Sequence, residues 1–202
     1  MSTARKHDPI SVQDYLAGEA HSDQRHEYIA GVVYAQAGGT NRHNAIATNA
    51  TVALANQLRG TGCRAFNSDT KVRIRNAAGT RFYYPDAMVV CRANPPSDSF
   101  QDEPVLIVEV ISETTRRIDE GEKREAYLEI PSLAGYVLVE QSSLSAVVYQ
   151  RGRQSGGDQG FQRSIVSGLD DVIQIDEIPL ELTLRELYED VELAEPDSTD
   201  RS

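Results

Sequence analysis

The sequence predicts a single α/β domain, and three observations lead to that prediction. The chain has 202 residues, a length that suits one domain with a sizeable hydrophobic core. Its middle part is rich in alternating or β-branched residues, which indicates strands. The stretch PVLIVEVI at 104–111 is a near-continuous apolar run, typical of a strand buried on both faces, and a helical stretch follows it.

Composition excludes several classes of protein. With 40% hydrophobic and 25% charged residues, the chain is neither disordered nor fibrous. No apolar run approaches the roughly 18 residues that a membrane span needs, and the N-terminal basic residues precede no apolar signal segment. Cys63 and Cys91 do not by themselves make a disulfide framework or a metal cluster. We therefore expect a cytoplasmic protein with reduced cysteines.

The negative charge is concentrated near the C-terminus. The net charge is −11, and residues 170–202 account for −10 of it, which leaves 1–169 close to neutral. We expect one domain over residues 1–193 and an acidic, solvated tail over 194–202. A nucleic-acid partner is therefore compatible with the charge of the domain.

The first part of the chain contains a helix, a hairpin and a longer helix. Ser11 is a good N-cap for a short helix in VQDYLAG. Ala30 and Gly31 separate EYI from VVYA, which predicts a hairpin. The residues from about 41 to 58 form an amphipathic pattern that ends at Gly60, so a helix is expected there.

The second part is mainly strands. Loops are expected at 76–79, at 93–103 and in a glycine-rich turn at 154–160. Helices are expected from about 117 to 129 and over LRELYEDVEL at 184–193. The predicted strands are CRAF, TKVRIR, RFYYPDAMVV, PVLIVEVI, GYVLVEQ, SAVVYQR, VIQI and LEL.

Two carboxylates lie within predicted buried strands. Glu109 interrupts PVLIVEVI, and Asp86 follows Pro85 in RFYYPDAMVV. Either one alone is explained by a strand-end salt bridge or a simple turn. On adjacent buried strands, however, they would repel each other unless a cation lay between them. Oxygen ligands of this kind suit Mg²⁺ or Mn²⁺.

Lys123 lies on the predicted helix that follows Glu109. Asp119, Lys123 and Tyr127 are four residues apart, so they share one helix face. The Asp–Lys pair is compatible with an ordinary surface ion pair. Alternatively, the ammonium points back at the carboxylates, where it would orient a water or neutralise a transition state.

These residues resemble a known family. The string YYPDAMVV, followed by PVLIVEVISETTRRIDEGEKREAYLEIPSLAGYVLVE, is similar to the Uma family of restriction endonucleases, within the PD-(D/E)xK nuclease superfamily. DYLAGEA, RHEYIAGVVYAQAGGT and LTLRELYEDV also fit, so the resemblance covers most of the chain. It implies a restriction-endonuclease-like core with a central mixed sheet flanked by helices. It also implies metal-dependent phosphodiester hydrolysis.

Site residues follow from the resemblance position by position. Asp86 matches the motif aspartate and Glu109 the second acidic residue, and the Val110 carbonyl would help to hold the metal. The superfamily lysine should come two residues after Glu109, where this chain has Ile111. Lys123 is the expected substitute, since its long side chain can reach the site from a neighbouring element.

Three other residues have two interpretations each. Glu27 matches an N-terminal glutamate that often joins such sites, or else it is a solvent-facing hairpin charge. His43 is either a proton shuttle or a helix-start capping or surface residue. Asp69 either supports the site or forms a turn.

Basic residues give a candidate nucleic-acid surface. Lys71, Arg73 and Arg75 alternate along one strand and share a face, and Arg117 begins the helix of Lys123. Same-sign charges on one strand face favour an anion above them, such as a phosphate backbone or the acidic C-terminal segment. Protection of a sheet edge is the alternative explanation.

The leading hypothesis is a Mg²⁺- or Mn²⁺-dependent endonuclease that acts on DNA. The alternatives are a weak or inactive nuclease fold used for binding or assembly, and a phosphodiesterase for a small nucleotide. A homodimer is compatible with cleavage of both strands, but the sequence names no dimer surface.

Overall fold

The computed structural model describes residues 8–152 and 160–193. The predicted turn at 154–160 lies mostly outside the described residues, and the expected acidic tail lies wholly outside them. The strands are β1 (His26–Ile29), β2 (Val32–Ala35), β3 (Arg64–Asn67), β4 (Lys71–Asn76), β5 (Gly79–Tyr83), β6 (Ala87–Val90), β7 (Phe100–Gln101), β8 (Pro104–Ile111), β9 (Gly135–Glu140), β10 (Ala146–Arg151), β11 (Phe161–Val166), β12 (Val172–Gln174) and β13 (Glu181–Thr183).

The helical segments are fewer and mostly short. Between β8 and β9 the helix is continuous but changes its winding in the middle. The helices are α1 (Val12–Glu19), α2 (Asn41–Gln57), α3 (Arg116–Ile118), a π-helical segment (Asp119–Lys123), α4 (Arg124–Leu128) and α5 (Leu184–Leu187). We call α3, the π segment and α4 together the 116–128 helix.

The larger sheet has the strand order β11-β10-β9-β8-β6-β3. Its pairs are antiparallel except β8 with β9, which run parallel and are connected by the 116–128 helix. A parallel pair needs a crossover connection of this kind. The predicted α/β class and the mixed sheet are therefore confirmed.

A second sheet, with the order β2-β1-β5-β4-β7, lies beside the first. Its one parallel pair, β4 with β7, involves a two-residue strand within the predicted loop at 93–103. The core between the two sheets includes Ile74 and Tyr83 from this sheet and Ile107 from β8. The opposite face of the smaller sheet packs against α1 through Tyr15 and Phe82.

Local sequence signals explain the N-terminal elements. Ser11 accepts a hydrogen bond from the Asp14 backbone, as an N-cap does. Ala30 and Gly31 form the hairpin turn with φ of 47° and 100°, the left-handed geometry that a two-residue turn requires. The predicted long helix is present as α2, with Thr40 as its N-cap.

Several elements differ from the sequence prediction. RFYYPDAMVV, predicted as one strand, is divided between β5 and β6, which belong to different sheets. The sequence does not predict strand β11. Four of its six residues are exposed on a sheet edge, and because they are polar or isolated apolar residues they give no strand pattern. The last helix ends at Leu187 rather than near 193, and Asp190 adopts φ of 55°. The predicted helix at 117–129 is present at 116–128 but contains the π segment.

The cysteines also differ from the expectation. Cys63 and Cys91 are joined as a disulfide that ties the start of β3 to the end of β6. Because Arg64 is paired with Val90 in the antiparallel ladder, the two cysteines come next in register. Sequence spacing did not show this cross-strand proximity. Within the described ranges, no helix is long and apolar enough to cross a membrane.

The C-terminal helix α5 should contribute strongly to stability. Leu187 is fully buried in the core against α2, so Leu187→Ala is expected to lower the free energy of unfolding by about 2–5 kcal/mol. Val52→Ala, at a half-exposed position of α2, is the control and should change it by less than about 0.5 kcal/mol. Urea denaturation measures both, and equal effects would show that α5 is not part of the cooperative core.

Candidate active site

Two neighbouring strands bring Asp86 and Glu109 together. Asp86 immediately precedes β6, and Glu109 lies in the antiparallel partner β8, where Ala87 is opposite Val108. The Asp86 backbone N–H donates to Glu109 Oε2 at 3.3 Å. The Val110 N–H donates to Asp86 Oδ2 at 2.8 Å. The side chains therefore sit next to each other, as the sequence predicted.

The Lys123 ammonium is the centre of a carboxylate cluster. Its Nζ lies 3.0 Å from Glu27 Oε1, 3.5 Å from Glu109 Oε1 and 3.5 Å from Asp119 Oδ1. The Lys123 side chain is only 9% exposed, so this charge is nearly removed from water. We call Glu27, Asp86, Glu109, Asp119 and Lys123 the acidic cluster.

Lys123 is delivered by the π-helical segment. The segment Asp119–Lys123 follows α3 without a break and continues into α4. A π turn holds more residues than an α turn, and such turns are frequent at functional sites. Here both ends of the segment, Asp119 and Lys123, are buried and face each other.

Tyr127 supports Glu109 from the next turn. Its hydroxyl donates to Glu109 Oε1 at 2.9 Å, and its ring packs edge-on against Tyr83 and Tyr136. Burial, and then the charge of Glu109, raise the pKa of Tyr127 far above its usual value. Tyr127 therefore remains a hydrogen-bond donor at any physiological pH.

His43 joins the site from the first turn of α2. Its Nε2 is 3.0 Å from Asp86 Oδ1. A methyl group at Gly39 would lie 2.4 Å from His43 Cδ2, so the glycine before the helix leaves room for the ring. Burial alone would lower the pKa of His43, but the hydrogen bond and charge of Asp86 outweigh it and raise the pKa.

The acidic cluster has an excess of negative charge. Burial raises the pKa of Glu109 well above its ordinary value, despite the opposing charge of Lys123, and Asp86 raises it further. Burial likewise raises the pKa of Asp119. Burial would lower the pKa of Lys123, but Glu109, Glu27 and Asp119 together raise it. The surrounding carboxylates therefore favour the charged form of Lys123.

The donor chemistry of this site fits a hard divalent cation in part. Asp86 and Glu109 supply adjacent carboxylate oxygens, and Val110, the residue after Glu109, donates its N–H to Asp86 beside them. Such ions often use one or two protein carboxylates and complete their shell with water and phosphate. Among the described residues, however, no three His, Cys, Asp or Glu side chains are arranged as a metal-binding group.

The chain is similar to several known proteins. Residues 12–186 match the Uma2 family model, whose description is "Putative restriction endonuclease". The chain belongs to the Uma2 family. Protein slr1290 of Synechocystis, which is uncharacterised, is 34% identical over 143 residues, 70% of this chain and 74% of its own length. A second uncharacterised Synechocystis protein, sll1609, is 28% identical over 145 residues, 70% of this chain and 81% of its own length.

A solved structure shares the fold. It is a crystal structure described as a putative nuclease belonging to DUF820 from Anabaena variabilis. It superimposes with a TM-score of 0.66 and 16% identity, and the match covers 89% of this chain and 98% of that one. The restriction-endonuclease-like fold expected from the sequence is therefore confirmed for this Uma2 member.

The Uma2 site contains more residues than the sequence indicated. Glu27 had two interpretations, a site residue or a solvent-facing hairpin charge. Its side chain lies in the acidic cluster, against Lys123. His43 contacts Asp86, whereas the sequence favoured a capping or surface role. The sequence showed Asp119 only as a neighbour of Lys123 on one helix face. Its burial makes it a member of the acidic cluster. Asp69 lies in the β3–β4 turn, paired with Arg25 at 3.5 Å, and is outside the site.

The predicted basic strand faces away from the acidic cluster. Arg73 is opposite Phe82 in the β4–β5 ladder, so Lys71, Arg73 and Arg75 share the face of Phe82, opposite the face of Tyr83. Lys71 is buried against Tyr84. Only Arg75 of the three is well exposed, at 64% of its side chain.

Arg73 already has a carboxylate partner. Its guanidinium donates to both oxygens of Asp102, at 2.7 and 2.6 Å, and lies over the ring of Phe100. Arg117, by contrast, is exposed on the 116–128 helix near the site. A cavity of about 640 Å³ lies beside Arg73, Arg75 and Cys91, away from the acidic cluster. Its lining includes both basic and acidic side chains.

Removal of Lys123 should destabilise the protein more than removal of a carboxylate. Lys123→Met leaves three buried acids without their cation, and we expect the free energy of unfolding to fall by about 3–5 kcal/mol at pH 7. Glu109→Gln removes one charge from a crowded site and should cost far less or stabilise. Urea denaturation of both variants in EDTA decides the point, and the reverse order would contradict the described network.

The Arg73–Asp102 pair should make stability depend on pH. Burial would raise the pKa of Asp102, but the hydrogen bonds from Arg73 and Asn94 and the arginine charges lower it. A lowered pKa gives stability that is complete above the unfolded-state pKa and is lost as the pH falls through the folded-state value. The gap in unfolding free energy between wild type and Asp102→Asn should therefore be about 1 kcal/mol at pH 7 and shrink towards pH 3. Urea midpoints at both pH values test this, and a constant gap would contradict it.

Proposed function

We propose that this Uma2 protein is an endonuclease that hydrolyses phosphodiester bonds of DNA with a divalent metal ion. The observation that carries the proposal is the adjacency of Asp86 and Glu109 beside the buried Lys123 ammonium. Membership of a family described as restriction endonucleases supports the same reaction class.

Asp86, Glu109 and the Val110 carbonyl would hold Mg²⁺ or Mn²⁺. When bound, such an ion lowers the pKa of a coordinated water and offsets charge on the scissile phosphate. The excess charge of the acidic cluster supports this role, because adjacent buried carboxylates are stable only with a cation or a proton between them. Burial first, and then the neighbouring acids, raise the pKa of Glu109 against the opposing charge of Lys123.

Lys123 would act as a charged hydrogen-bond donor. Because three carboxylates raise its pKa in the metal-free protein, we assign it the role of a donor rather than that of the base that takes a proton from water. Its ammonium can instead orient the attacking water and offset the charge that develops on phosphorus oxygens. Glu27 and Asp119 hold it in place from opposite sides. The long side chain thus replaces the lysine that is absent at Ile111.

His43 and the exposed arginines would complete the site. His43 fixes one oxygen of Asp86, while the other accepts from the Val110 N–H. Arg117 is exposed on the 116–128 helix and is available to a phosphate backbone, whereas Arg75 lies on the opposite face of its sheet and would contact only a more distant part of a bound DNA. A homodimer would suit cleavage of both strands.

A second candidate is a nuclease fold retained for binding. Every carboxylate oxygen of Asp86 and Glu109 already has a partner in the protein: His43, the Val110 and Asp86 N–H groups, and Tyr127 with Lys123. A metal would have to compete with these contacts. This observation favours weak metal binding or none.

DNA cleavage decides between the two. Purified protein is incubated with single-stranded, duplex and branched DNA in Mg²⁺, Mn²⁺ or EDTA. We expect metal-dependent cleavage that falls at least about 100-fold in Glu109→Gln, because the variant loses a charged metal ligand. Glu103→Gln is the matched control, since Glu103 precedes the same strand with a half-exposed side chain, and it should cleave like wild type.

Metal-induced thermal stabilisation provides the independent readout. Saturating Mg²⁺ or Mn²⁺ should raise the melting temperature of wild type and Glu103→Gln but not of Glu109→Gln. Absence of both cleavage and stabilisation in the wild type would favour the binding module. Cleavage that persists in Glu109→Gln would reveal a contaminating nuclease and overturn the proposed site.

A further inference from the structure

A half-exposed tyrosine lies directly across a strand pair from the acidic cluster. Tyr34 on the edge strand β2 is opposite Glu27 on β1, and 50% of Tyr34 is exposed. Residues opposite each other in an antiparallel ladder project from the same face of the sheet. Because Glu27 points at Lys123, Tyr34 projects on the side of the sheet that carries the site.

The same face continues along the hairpin and onto β5. Val32 is opposite Ile29, which is opposite Arg81 in turn, and strand side chains alternate with a period of two. Val32, like Tyr34, is half exposed. We call Val32, Tyr34 and Arg81 the hairpin platform. It borders Glu27 across the β1–β2 pair.

Arg81 has an unused hydrogen-bond donor. Its Nε is buried and has no hydrogen-bond partner among the described residues. The residue as a whole is only partly buried, and the terminal nitrogens of a guanidinium match the geometry of a phosphate. In contrast to Arg73, which lies on the other face and is held by Asp102, Arg81 is the basic residue of this sheet on the same side as the acidic cluster.

We propose that the hairpin platform binds one unpaired nucleotide of the DNA substrate next to the scissile phosphate. The Tyr34 ring would stack on the nucleobase, Val32 would extend the apolar surface, and the Arg81 guanidinium would bind the adjoining phosphate. Stacking on an aromatic side chain needs a base that is not stacked in a duplex. The substrate is therefore single-stranded DNA or DNA with an unpaired segment. This inference rests on the proposed function.

Binding of a single-stranded oligonucleotide tests the platform without catalysis. The probe is a fluorescein-labelled mixed-sequence 20-mer, measured by fluorescence anisotropy with Ca²⁺ in place of Mg²⁺. Tyr34→Ala should raise the dissociation constant about tenfold, as expected for loss of one stacked base. Tyr34→Phe keeps the ring and should stay within about twofold of wild type, and Arg81→Ala should lose about as much affinity as Tyr34→Ala.

A control variant separates the platform from general apolar surface. Ile165 is 61% exposed on β11, the edge strand of the other sheet, and Ile165→Ala should bind like wild type. A 2-aminopurine in the oligonucleotide gives a second readout, since stacking quenches its fluorescence. Quenching should occur with wild type and Tyr34→Phe and be lost in Tyr34→Ala, whether or not the DNA is cut.

The outcomes distinguish this inference from the proposed function. If wild type cuts single-stranded DNA and Tyr34→Ala cuts and binds it equally well, the platform is wrong and the nuclease stands. If wild type binds with quenching but never cuts, the platform stands and the nuclease is wrong. Tighter binding to duplex than to single strands, unaffected by Tyr34→Ala, also overturns the platform.

The alternative to DNA at the hairpin edge is a second copy of this chain. Sedimentation of wild type and Tyr34→Ala shows whether such a dimer forms. A dimer that dissociates in Tyr34→Ala, together with unchanged oligonucleotide affinity, would show that Tyr34 serves a contact between copies and would overturn the proposal.

Discussion

The buried ammonium of Lys123 is the interaction on which the site depends. It ties a hairpin residue of the smaller sheet, Glu27, to a strand residue of the larger sheet, Glu109, and to Asp119 on its own helix. Each of these carboxylates would be costly to bury alone. Because one cation contacts all three, the cluster is complete only when the two sheets are packed against each other.

Much of the fold could be predicted because local signals were strong. The apolar run of β8 is interrupted by only one charged residue, Glu109. The Ala30-Gly31 turn needs left-handed geometry that few residues adopt. The same rule of burial identified Asp86 and Glu109, since an acid inside an apolar strand requires a partner. These predictions use neighbours within one or two elements.

The remaining features depend on contacts between distant segments. His43 is 43 residues from Asp86 in sequence, and nothing in its own helix indicates that the ring reaches β6. The basic alternation of Lys71, Arg73 and Arg75 was read correctly as one face, but strand periodicity cannot say which face meets the site. Phe82 and Phe100 pack against α1 on the same side as the basic residues, so that side is turned away from the acidic cluster. Likewise, β11 relies on pairing with β10 rather than on its own pattern.

The π segment has a consequence for how this chain can change in length. A π turn holds one residue more than an α turn, so deletion of one residue between Asp119 and Lys123 would convert it to an ordinary α turn, while the helix on either side would keep its orientation. Arg116 would stay paired with Glu140, and Tyr127 would stay against Glu109. A deletion within α4 has no wide turn to absorb it, and every later side chain would rotate by about 100° about the helix axis. This helix therefore tolerates a change of length inside its wide turn but not beyond it.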